Sequence, residues 1–109
     1  MTHIPQERVF IVVPFYQWGI EVRRTYLTKL IEKFGEENVR SLQQQIRIIT
    51  PGQGPQVLTG FSGPGLLLVH KQWQQGCHDF EERRSMRHHL MHLCSVGYTV
   101  EYIDEDYYR

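Results

Sequence analysis

Val9 to Phe15 reads VFIVVPF, seven residues without a polar side chain. Apart from Pro14 its residues are β-branched or aromatic, and they do not alternate with polar ones. The run predicts a strand covered on both sides, ended by Pro14. From Ile20 to Phe34 the period changes to about 100° per residue. Ile20, Tyr26, Leu27, Leu30, Ile31 and Phe34 then share a stripe, and Gly35 stands where a helix stops.

The same alternation recurs along the chain. Asn38 to Thr50 (NVRSLQQQIRIIT) holds the second strand, placed either at 39–42 or, preferably, at 46–50. Residues 51–65 form a glycine- and proline-rich loop, in which QVLTG suits a helical turn or half of a hairpin. Leu66 to His70 (LLLVH) is another buried strand. A second principal helix follows over Asp79 to Val96, with Asp79 as N-cap, Glu81 and Glu82 in its first turn, and Gly97 after its end. Its stripe is Met86, Leu90, Leu93 and Cys94. YTVEYID is the last strand, and 104–109 is an acidic, aromatic tail. The expected fold is one α/β domain over 1–109. It has a mainly parallel four-stranded sheet ordered 2-1-3-4 with two principal helices, a flavodoxin-like or Rossmann-like half.

At 109 residues, with 40% hydrophobic and 22% charged residues, the chain suits one globular core. Twelve basic residues balance twelve acidic ones, which disfavours nonspecific nucleic-acid binding and acidic DNA mimicry alike. Two cysteines make no disulfide framework, and the first residues fit neither a signal peptide nor a membrane span. A cytoplasmic, non-membrane protein is expected.

Two segments echo each other. EVRRTYLTKLIEKF (Glu21 to Phe34) and EERRSMRHHLMHLC (Glu81 to Cys94) share Glu, Arg-Arg and matching apolar positions, and each is preceded by Gln-Trp. Arg23 and Arg83 fall inside the two stripes, in first turns. In a parallel sheet those turns gather where the strands end. Trp18, Arg23, His70, Lys71, Trp73 and Arg83 are therefore candidate ligand-binding residues. The arginines and helix N-termini suit an anion, and the indoles suit a base.

Catalytic signatures are absent. There is no GxxxxGK[ST] or GxGxxG, and GFSGP has proline where a nucleophile elbow needs glycine. His88 and His92 are four apart on one helical face, a weak metal candidate, but Cys94 lies nearly opposite and no outer ligands join them. No cofactor is implied. The first functional expectation is a noncatalytic binding or accessory protein that recognises a protein partner, with Trp18, Trp73, Tyr107 and Tyr108 as contacts. The alternative is binding of a nucleotide or other phosphorylated small molecule at the C-terminal edge of the sheet, with hydrolase or transferase chemistry as an extension.

Overall fold

The computed structural model describes residues 8–53 and 64–109. Its elements run β1 (Arg8–Val12), α1 (Tyr16–Phe34), α2 (Glu36–Gln43), β2 (Ile46–Ile49), β3 (Gly65–His70), α3 (Phe80–Ser95) and β4 (Tyr98–Ile103). A 3₁₀ turn, Trp73–Gly76, precedes α3, and another, Glu105–Tyr107, follows β4. The sheet has the expected order β2-β1-β3-β4 and all its pairs are parallel. Most of the 51–65 loop, including QVLTG, lies outside the described residues.

The double burial expected of β1 is present. Phe10 and Val12 face α3, in a cluster with Leu67, Val69, Met86 and Leu93. Val9, Ile11 and Val13 face the other way, with Val22 of α1, Leu42 of α2 and Leu68. Val9 pairs with Ile46 on one side and Leu66 on the other. The two crossovers leave the centre in opposite directions, so α1 and α2 cover one face and α3 the other.

Three helices are present among the described residues where two principal ones were expected. Residues 39–42 belong to α2, which buries Val39 and Leu42. Three residues apart, they share one face of a helix, whereas a strand would put them on opposite faces. The second strand is the Ile46–Ile49 option.

The helix ends follow simple chemistry. Gly35 and Gly97 take positive φ, 90° and 109°, just past α1 and α3. At the start of α3, the Asp79 side chain accepts a hydrogen bond from the Glu82 N–H at 2.8 Å.

The core-facing stripe of α1 is rotated from the one expected. It runs through Gly19, Val22, Tyr26, Leu27 and Leu30, while Ile20 is exposed. Gly19 wins the inner position because α1 lies so close to β2. A Cβ there would stand 2.2 Å from Ile48 Cγ2 and 3.1 Å from a Val13 methyl. On α3, Met86 and Leu93 are buried and Leu90 is half-buried, but Cys94 and Arg83 are exposed.

This packing yields a paired prediction. Gly19→Val should destabilise the fold by about 2 kcal/mol or more through overpacking. Ile20→Gln should stay within about 0.5 kcal/mol of the wild type. Urea unfolding of both variants measures the contrast.

Candidate functional site

β1 and β3 are adjacent, yet the segments that follow them leave for opposite faces. That divergence opens a crevice beyond the strand ends. The cleft there measures about 570 Å³. Pro14, Phe15, Tyr16 and Gln17 form one wall, Thr50 and Gly52 another, and Gln75, Gly76, Cys77 and His78 the third. Gly76 holds the third wall against the first: a Cβ on it would stand 2.3 Å from the Pro14 carbonyl oxygen.

The helix N-termini that border this region differ. Phe15 is the N-cap of α1 and makes no side-chain cap, and the first turn carries no acidic residue. The first turn of α3 is capped by Asp79 and carries Glu81 and Glu82. Among the described residues Glu82 Oε1 is buried without a hydrogen-bond partner, and a Cβ on Gly52 would lie 3.8 Å from it. The α1 end therefore favours an anion and the α3 end opposes one. Burial and the nearby Glu82 push the Cys77 thiol upward, so its thiolate is disfavoured.

Tyr16 also lines a second cleft, about 510 Å³, along the β2 edge. Ile20, Arg23, Ile46, Arg47, Ile48 and Gln53 complete it. Arg23 donates from Nη2 to the Gln43 carbonyl at 3.4 Å. The two clefts thus meet at Tyr16, one without arginine or lysine and the other with two arginines.

The candidate residues separate into groups. Trp18, His70 and Tyr108 come together. The indole of Trp18 lies 5.0 Å from the His70 ring and meets Phe15 edge-on at 5.1 Å. His70 is 0% exposed. Its Nδ1 accepts from the Gln72 N–H at 3.1 Å, and its Nε2 lies 3.5 Å from the Tyr108 hydroxyl. Those contacts fit the neutral ring protonated on Nε2. Burial lowers the His70 pKa, against the opposing pull of Asp104 and Glu105.

Lys71 sits beside this group, its Nζ 3.5 Å from Asp104. Tyr107 lies under Lys29 Nζ at 3.9 Å. Burial, with Glu101 and Tyr26 nearby, pushes its phenol up to about 12. Trp73 is 7% exposed and belongs to the core on the α3 face, across the sheet from Trp18. Arg83 is exposed, 5.9 Å from the centre of the Phe80 ring, so the two arginines expected at one crevice lie apart. His88 and His92 are exposed, and no three potential metal ligands gather among the described residues.

Phe15, Tyr16 and Gln17, which line the cleft, were missed from the sequence. The available signal was negative: a helix starting on Phe-Tyr, with no Ser, Thr, Asp or Asn cap. No protein-family model, curated protein or solved structure matches the chain.

His70 also sets a pH dependence. Because its folded-state pKa lies below the ordinary 6.5, the unfolded chain binds the proton more readily. Its contribution is complete above that value and is lost as pH falls through 6.5 toward the lowered pKa. Urea midpoints at about pH 7.5 and about pH 5.5 should differ, lower in acid, and the difference should shrink in His70→Gln.

Proposed function

We propose that the paired clefts bind a nucleotide or another phosphorylated small molecule. The observation that carries this reading is the position of Tyr16, shared by the cleft at the strand ends and the arginine-bearing cleft at the β2 edge. Phe15 and Tyr16, 46% and 56% exposed, offer flat apolar surface to a base. Arg23, Arg47 and the uncapped start of α1 offer charge and N–H groups to a phosphate. The acidic first turn of α3 directs the phosphate toward α1. The role is binding, in the cytoplasm, where the free thiols Cys77 and Cys94 suit a reducing interior.

Recognition of a protein partner is the second reading, and a different surface favours it. Trp73 packs inward and Trp18, Tyr107 and Tyr108 are half-buried, but Met91 and Tyr102 are exposed and border a groove between α3 and the edge strand β4. Among the described residues no helix is long and apolar enough to cross a membrane.

Titration of labelled protein with adenosine monophosphate, followed by amide NMR shifts, tests the first reading. Shifts should concentrate on Tyr16, Gln17, Gly76 and Cys77. Tyr16→Ala and Arg23→Leu should each weaken binding about tenfold, whereas Arg83→Leu should leave it within about twofold. Absence of shifts at millimolar nucleotide, with Tyr102→Asp abolishing capture of a protein partner, would transfer the function to the β4 surface.

A further inference from the structure

Four rings run from the cleft wall to the C-terminal tail. Phe15 meets Trp18 at 5.1 Å, Trp18 meets His70 at 5.0 Å, and His70 meets Tyr108 at 6.1 Å between ring centres. His70 is the only one of the four that changes charge near neutral pH. Its Nδ1 also receives the Gln72 N–H, and Gln72 begins the loop whose later residues, Gln75 to His78, form the opposite wall of the cleft. One buried imidazole thus touches the tail and is linked to both sides of the cleft.

We propose that His70 is a proton-operated latch: neutral, it holds the tail against α1 and fixes both walls of the cleft, and protonated, it releases them. A proton added at Nδ1 removes the acceptor for the Gln72 N–H and sets two donors against each other. It also places a charge in a site closed to water.

The charged groups around the ring do not offset that cost. From the tail, Asp104 is already engaged twice, accepting from the Asp106 N–H at Oδ1 and facing Lys71 at Oδ2. Glu105 faces Arg109 at 3.0 Å. From the end of β3, Lys71 repels an imidazolium. From α1, Glu21 acts on Tyr108 and is paired with Arg24. The protonated ring therefore gains water by displacing the tail, which is the lightest element packed on it. Tyr107 and Tyr108 leave with it, and Trp18 loses the surface that steadies Phe15.

The latch stands on this geometry alone; its effect on ligand affinity rests on the reading of the cleft given above. NMR of the full chain from about pH 8 to about pH 5 tests both. The His70 ring resonances should titrate together with the amides of Tyr107 to Arg109, which should lose order while those of β1 and β3 keep their shifts. His70→Gln should abolish that transition. Tail amides that stay ordered throughout the His70 titration overturn the latch. So does tail release at the same pH in His70→Gln, or a His70 that stays neutral until the whole chain unfolds.

With adenosine monophosphate as the probe, affinity should fall about tenfold between pH 7.5 and pH 5.5 in the wild type. In His70→Gln it should change less than about threefold, which removes any effect of the probe's own ionisation. Tail release with no nucleotide binding at either pH supports the latch and overturns the cleft reading.

Discussion

Everything in this fold depends on the burial of β1 from both sides. Val9, Ile11 and Val13 need cover on one face, and Phe10 and Val12 on the other. β2 and β3 also occupy both of its hydrogen-bonding edges. A strand with these needs cannot lie at the margin of a sheet or under a single layer of helices. The helices must therefore divide between the faces, and the chain must leave the centre in opposite directions. The crevice beside Pro14 and Gly76 follows from that divergence. The candidate site is thus a result of how the centre is covered, before any functional side chain is considered.

Charge is arranged around the crevice in a graded way. The β2 side carries Arg23 and Arg47, the strand ends present rings and amides, and the first turn of α3 carries Glu81 and Glu82. Net charge is zero, so this order is invisible in composition and exists only once the chain is folded. The same holds for His70, whose position at the end of a buried strand places a titratable ring where a purely structural residue would serve.

Much of the architecture was legible because it rests on local pattern. The run VFIVVPF, the alternation of periods, Asp79 as cap and Gly35 and Gly97 as stops are each readable within a few residues. Two features escaped for physical reasons. EENVRSLQ buries only Val39 and Leu42, and so short a pattern is ambiguous between helix and strand. Periodicity also assigns the inner face of a helix to bulky residues, whereas the closeness of α1 to β2 selects Gly19 and turns Ile20 outward. The matching ERR and VRR segments reflect two helices with the same task on opposite faces, which is why Arg23 and Arg83 do not converge. Trp18 and His70 were expected at one crevice from the alternation of strands and helices, but nothing in the sequence brought Tyr108 to them; it lies 38 residues beyond His70. Topology makes that contact.

The pairing of β1 with β3 has a consequence for how the chain assembles. These central neighbours are separated along the chain by α1, α2, β2 and residues 50–64. A strand buried on both faces thus waits for a partner that emerges late from the ribosome. Until then, one hydrogen-bonding edge of β1 and one of its apolar faces have nothing of their own to cover them. Long-range parallel pairing of this kind slows folding and exposes sticky intermediates. For this protein the vulnerable interval therefore opens with synthesis of Val13 and closes only after α3, which covers Phe10 and Val12, has followed His70.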